Sequence, residues 1–149
     1  MKKILLIATG GTISSTNKGN GLEPTFSADD ILKYCPTLKQ TCEIDTIQLF
    51  ALDSTNIRPA HWLAIADTIQ KNYDLYDGFV ILHGTDTMAY SAAAMNYLIQ
   101  DSPKPIVLTG SQSYKLLRTV SDSLAGRVGI VKLLGLSISE KIGYLKSKN

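Results

Sequence analysis

The chain has 149 residues, 44% of them hydrophobic and 19% charged, with a formal net charge of +2. A domain of that length buries about 68–70% of the surface its unfolded chain exposes, so a core forms without disulfides or a structural metal. The composition is ordinary for a globular protein. The small charge gives no general attraction to nucleic acid, and no stretch approaches the roughly 20 apolar residues of a membrane-spanning helix.

The distribution of charge is uneven. Residues 1–112 carry 8 Lys/Arg and 11 Asp/Glu, a net of −3, whereas residues 113–149 carry 7 and 2, a net of +5. Cys35 and Cys42 are the only cysteines, lack a CxxC spacing and have no histidines nearby to complete a metal set; both are expected to be reduced. Lys2-Lys3 precedes an apolar run, but Ile4 to Ala8 is too short for a secretory core and leads straight into Thr9-Gly10-Gly11. A cytoplasmic protein is expected.

In chain order, Lys3 to Ala8 is branched and nearly all apolar, the pattern of a central strand covered on both faces. Gly10 and Gly11 end it without the glycine spacing or the lysine of a nucleotide-binding loop. Ser14 to Thr25 is rich in Ser, Asn and Gly and has no apolar period, as a surface connection or a flexible lid beside Thr12 requires. Ser27 with Asp30 three residues later opens a short helix over Ala28–Tyr34, stopped by Pro36. Glu43 to Leu52 reads as the second strand, and Pro59 suits the first turn of the following helix. Trp62, Ile65, Ala66 and Ile69 form its apolar stripe, with Trp62 as a core anchor; Asp67 and Lys71 pair on its wet face. Phe79 to Leu82 is the third strand, the run from Met88 to Ile99 an alanine-rich helix, and Pro105 to Leu108 the fourth strand. The alternation predicts a three-layer α/β domain with a mostly parallel sheet flanked by helices.

Each strand ends in a polar cluster: Thr9-Gly10-Gly11-Thr12, Asp53-Ser54-Thr55-Asn56, His83-Gly84-Thr85-Asp86-Thr87 and Thr109-Gly110-Ser111-Gln112. Ligands of open α/β sheets collect at such carboxyl ends. A threonine hydroxyl is a poor nucleophile until a neighbour accepts its proton, so Thr12 with Thr85 and Asp86 suggests an activated nucleophile. Backbone amides at the glycine turns suit an oxyanion. Asp53 and Ser54 offer a carboxylate and a hydroxyl to a small polar substrate. The competing reading of Asp86 is a helix cap. His61 stands alone and establishes neither a metal site nor acid–base chemistry.

Thr9-Gly10-Gly11-Thr12-Ile13 and His83-Gly84-Thr85-Asp86-Thr87-Met88, in that order with Asp53-Ser54 between them and Val107 to Gln112 beyond, resemble the signatures of the bacterial-type L-asparaginase family. The resemblance covers about residues 3–112 and implies a Rossmann-like amino-terminal domain. It implies Thr12 as nucleophile on the side-chain amide of L-asparagine, Thr85 as second catalytic threonine with Asp86 beside it, and Asp53, Ser54, Gly84, Thr85 and Asp86 as substrate-binding residues. The products are ammonia and L-aspartate, with no metal or organic cofactor, no nucleic acid and no membrane; the family's members form homo-oligomers. The asparaginase-like component of an archaeal tRNA-dependent amidotransferase shares the signatures but carries an extra amino-terminal region.

The chain departs from the family pattern in three ways. Family members are longer and have a second domain. Their catalytic lysine lies beyond the two signatures, and neither Lys115 nor Lys132 aligns with it. The expected flap tyrosine is absent, with Leu22 in its neighbourhood. Residues 1–112 are therefore read as an incomplete asparaginase-like α/β domain and 113–149 as a divergent basic tail, with a strand over Val128–Val131 and a helix over Ser139–Leu145 as its only candidate elements. The tail's charges are dispersed among Leu, Ile and Val, which argues against a nucleic-acid arm. A truncated, catalytically inactive fragment, or a remnant that binds a small ligand, is the alternative to an active amidohydrolase.

Overall fold

A computed structural model of the chain describes residues 1–10, 15–17, 22–24 and 38–110. The expected helix over 28–34 and the two tail elements lie outside them. Six strands and three α-helices are seen among the described residues: β1 (Lys2–Gly10), β2 (Ser15–Asn17), β3 (Leu22–Pro24), α1 (Leu38–Thr41), β4 (Cys42–Leu52), α2 (Pro59–Asn72), β5 (Gly78–Leu82), α3 (Met88–Leu98) and β6 (Ile106–Thr109). Short 3-10 turns occupy Ser54–Asn56 and Tyr73–Leu75.

The four long-range strands form one sheet in the order β4-β1-β5-β6, and every pairing in it is parallel. The expected strands all appear, with ends displaced by at most two residues. β2 and β3 form a separate antiparallel pair, and α1 is a single turn leading into β4. None of these three is legible in the sequence, because their polar or very short segments carry no period.

Side chains alternate across the sheet, and β1 shows the consequence. Leu5 and Ile7 point to one face, where they pack with Phe79 and Ile81 of β5, Ile65 and Ile69 of α2 and Met95 of α3. Leu6 and Ala8 point to the other, with Leu82, Ile44 and Val80. β1 is thus apolar on both faces because both are covered: Leu5 to Gly10 are all buried. Helices α2 and α3 share the first face. Trp62 packs against that cluster while half-buried, as expected of an anchor, and Lys71 pairs with Asp67 at 2.6 Å on the wet side of α2.

One irregularity positions the site. Two steps along β1, from Ala8 to Gly10, are matched by four along β4, from Gln48 to Leu52. The bulge brings the end of β4 against Gly10, whose φ of +106° is closed to ordinary side chains. A Cβ at Gly10 would collide with the backbone of Leu52. The loop after β4 is thereby drawn beside the turn that ends β1.

Candidate active site

The chain order of the sheet reverses between β1 and β5, since β4 lies on one side of β1 and β5 on the other. That crevice, at the carboxyl ends of the strands, is where this class of sheet binds ligands. Thr9, buried to 2% exposure, donates its hydroxyl to the Leu82 carbonyl at 2.9 Å. This bond pins the ends of β1 and β5 together. His83 N–H then donates to the Thr109 carbonyl at 3.0 Å, tying the start of the next loop to β6.

The strand-end clusters meet around these bonds. Ser54, 3% exposed at the head of a 3-10 turn, donates its hydroxyl to Asp86 Oδ2 at 3.1 Å. Thr87 donates its hydroxyl to the Ser54 carbonyl at 2.7 Å. The loops after β4 and β5 are therefore bound to each other twice. Asp53 is engaged locally: its carboxylate accepts from the Thr55 backbone N–H at 2.9 Å and from the Thr55 hydroxyl at 2.8 Å. The backbone bond first, and the hydroxyl second, hold the Asp53 carboxyl below the usual carboxylate range. Asp53 is thus a capping anion that shapes the Ser54 turn.

Gly84 is buried, Thr85 half-buried and Asp86 exposed, so the loop rises from the core into solvent over three residues. Asp86 does not cap α3. The residue at the cap position is Thr87, and no side-chain bond closes that end. The Asp86 carboxylate turns instead to Ser54. Gly110, at the end of β6, lies close beneath: a Cβ there would meet the Met88 side chain, stand 2.8 Å from the His83 carbonyl oxygen and 3.1 Å from Thr85 Cγ2. Thr12, Ser111 and Gln112 lie outside the described residues.

Sequence reasoning placed Thr87 in the strand-end cluster without giving it a role, and missed Ser91 as a member of this region. Their signal is the four-residue spacing at the start of α3, which puts both hydroxyls on one helix face. His61 accepts the Arg58 backbone N–H on Nδ1 at 2.9 Å, a local helix-start contact. Among the described residues no group of three His, Cys, Asp or Glu side chains could hold a metal ion, and no helix is long and apolar enough to cross a membrane.

Comparison with known proteins gives the lineage. The model of the asparaginase amino-terminal family matches residues 3–128, running past the Gln112 at which the sequence pattern departs. The L-asparaginase of Thermococcus kodakarensis is 43% identical over 110 residues, 73% of this chain and 34% of that protein. Its solved structure superposes with a TM-score of 0.66 at 42% identity, covering 72% of this chain and 33% of that one. A component of the glutamyl-tRNA(Gln) amidotransferase of Methanosphaera stadtmanae is 41% identical over 114 residues, 74% of this chain and 26% of that protein. A probable cytoplasmic L-asparaginase from Campylobacter jejuni gives a TM-score of 0.67 at 32% identity, over 74% of this chain and 35% of that one. The chain spans about a third of the length of the asparaginases it matches and about a quarter of the amidotransferase component. Its parallel sheet, its paired strand-end loops and the match over most of its length agree: the chain belongs to the asparaginase family and carries that family's amino-terminal fold.

Proposed function

We propose that the chain is an amidohydrolase that converts L-asparagine to L-aspartate and ammonia through a threonine acyl-enzyme in the cytoplasm. The observation that carries the proposal is the 3.1 Å bond from Ser54 to Asp86, which joins two loops at the crevice next to the buried end of β1. A free α-amino acid presents an ammonium and a carboxylate. Asp86 supplies the negative partner for the first, and Ser54 the hydroxyl donor for the second once its single proton turns from Asp86 to the ligand, with Asp53 and Gly84 shaping the pocket around them.

In this reading the Thr12 hydroxyl attacks the side-chain amide carbon. Thr85 relays its proton toward the leaving nitrogen, and backbone amides of the glycine turns receive the developing oxyanion. Collapse of the tetrahedral intermediate passes a proton to the leaving nitrogen and releases ammonia, leaving an ester on Thr12. Water, activated at Thr85, attacks that ester, releases L-aspartate and restores the Thr12 hydroxyl. No step calls for a metal or an organic cofactor.

Ammonia release from L-asparagine by the purified chain, beside its Thr12→Ala variant, tests the proposal. Turnover present in the first and absent in the second supports it, because a methyl group cannot form the ester. Equal background in both, with both folded, overturns it. Calorimetry with L-aspartate then separates a ligand-binding remnant from an inert fragment.

A further inference from the structure

Behind Thr85 and Asp86 a line of polar atoms runs inward, away from the crevice. Trp62 on α2 donates its indole N–H to Ser91 Oγ at 2.8 Å. Ser91 Oγ lies 2.8 Å from His83 Nε2, and His83 Nδ1 lies 2.6 Å from the Gly84 carbonyl oxygen. Ser91 is fully buried and His83 is 2% exposed, so every proton in this line must have a partner.

The protons follow by elimination. A carbonyl oxygen only accepts, so His83 Nδ1 carries a hydrogen. Burial holds the His83 pKa below its ordinary value against the opposing pull of the Gly84 carbonyl, which leaves the ring neutral at pH 7 with that one proton. Nε2 is then a bare lone pair and accepts. Ser91 gives its single hydroxyl proton to Nε2, and its oxygen receives the proton of Trp62. One arrangement satisfies all three side chains.

A serine hydroxyl beside an imidazole also invites comparison with a nucleophile and its base. Ser91 cannot act so: it has no exposure through which a substrate could reach it, and its oxygen already accepts the Trp62 N–H. The consequence lies at Gly84. Its carbonyl and the Thr85 N–H belong to one planar trans peptide and point in opposite directions. Holding the carbonyl inward therefore fixes the direction of the Thr85 N–H and the path on which Thr85 and Asp86 leave β5.

We propose that Ser91 is a positioning residue for the Thr85–Asp86 loop, fixing His83 in the Nδ1–H form that clamps the Gly84 carbonyl. The proposal rests on the reading of that loop as catalytic, but its test needs no turnover. Long-range proton–nitrogen spectra of the full chain, labelled at histidine, should show His83 protonated on Nδ1 and bare on Nε2 at pH 7. Ser91→Ala should remove the donor that keeps Nε2 bare, admit a detectable share of the Nε2–H tautomer against the remaining pull of the Gly84 carbonyl, and move the Thr85 and Asp86 amide signals by more than their linewidths. Ser91→Thr, which keeps the hydroxyl, should restore both. If Ser91→Ala does not fold, Ser91→Cys, close in size and a poor donor, replaces it. An Nε2-protonated ring in the unmodified chain overturns the proposal, as does a folded variant whose tautomer and loop signals stay unmoved. Absence of ammonia release would remove the catalytic reading alone and leave the tautomer result standing.

Discussion

Ser54 and Asp86, 32 residues apart in the chain, meet through a single hydrogen bond between a buried hydroxyl and an exposed carboxylate. The asymmetry matters. Ser54 is fixed by its turn and by Thr87, whereas Asp86 reaches it from the solvent side. The bond thus presets the carboxylate at the crevice mouth.

Removing either partner should therefore cost affinity more than fold. A hydrogen bond to a charged group contributes about 1.5–3 kcal/mol, which corresponds to roughly tenfold or more in binding. Asp86→Ala should weaken L-aspartate binding by at least that factor, since it removes the charge that meets the ammonium. Ser54→Ala should weaken it less, and the double variant by less than the sum. Calorimetry on the four proteins measures the coupling; strict additivity would show that the two groups act independently.

How legible this was in the sequence differs by residue. The four parallel strands were readable because β1, β5 and β6 are short, largely apolar runs and β4 carries recurring Ile and Leu, each running into a polar cluster. The loops carrying Ser54, Thr85 and Asp86 were readable as strand ends, and the sheet brings them together. The Gly10 bulge was not, because the two extra residues of β4 are apolar and blend into the strand. The Trp62–Ser91–His83 line was invisible for another reason. It joins one turn of α2 to one turn of α3 and the end of β5, and no spacing within any one of them encodes a contact among all three.

The opposite end of the sheet sets the acid limit of the fold. Asp45 accepts from Lys3 Nζ at 3.0 Å and from the Tyr76 hydroxyl at 2.8 Å, and these bonds, the Lys3 one foremost, lower its pKa. Asp77 accepts from the Lys3 backbone N–H at 2.7 Å and from Lys2 at 3.0 Å, the backbone bond first among the causes that lower its pKa. For both, the unfolded carboxyl binds a proton more readily than the folded one below the ordinary value of 3.8. Their contribution is complete above that pH and lost as pH falls through the folded pKa. His83 adds a second, earlier loss: buried neutral, it resists a proton that the unfolded ring takes up below about 6.5. Denaturant midpoints should hence begin to decline below pH 6.5 and decline further below pH 3.8, and Asp45→Asn should flatten only the lower limb.

The shared core makes a simple stability prediction. Ile65 is 1% exposed and packs on Leu5, Ile7 and Phe79. Ile65→Ala should destabilise the chain by about 2–5 kcal/mol. The neighbouring Leu63, 58% exposed on the same helix, should tolerate alanine within about 0.5 kcal/mol. Chemical denaturation of the two variants distinguishes these sites; equal losses would mean that α2 does not pack by the face described.

Gly110 offers the sharpest link between packing and chemistry. Its backbone is not left-handed, since Gly10 is the positive-φ glycine among the described residues, so any objection to a side chain there is steric. Three neighbours would receive a Cβ: the Met88 methyl, the His83 carbonyl oxygen and Thr85 Cγ2. The Met88 methyl ends a flexible chain and can swing aside at small cost. The His83 carbonyl cannot, because it belongs to backbone that the Thr109 bond holds in place. Thr85 is half-buried on a loop and yields most readily after Met88. Gly110→Ala should therefore fold with a loss of about 1–3 kcal/mol, the usual cost of overpacking, while displacing Thr85 from its seat. A shift of about 1 Å in a reacting group can cost on the order of 100-fold in rate. If the chain releases ammonia from L-asparagine, Gly110→Ala should lower that rate by about this factor, and Thr85→Val, which keeps the shape and removes the hydroxyl, should suppress it further. L-aspartate affinity should fall further in Gly110→Ala than in Thr85→Val, because only the first moves Asp86 along with its neighbour. Full affinity in Gly110→Ala would mean that Met88 alone absorbs the added methyl and that β6 does not set the loop.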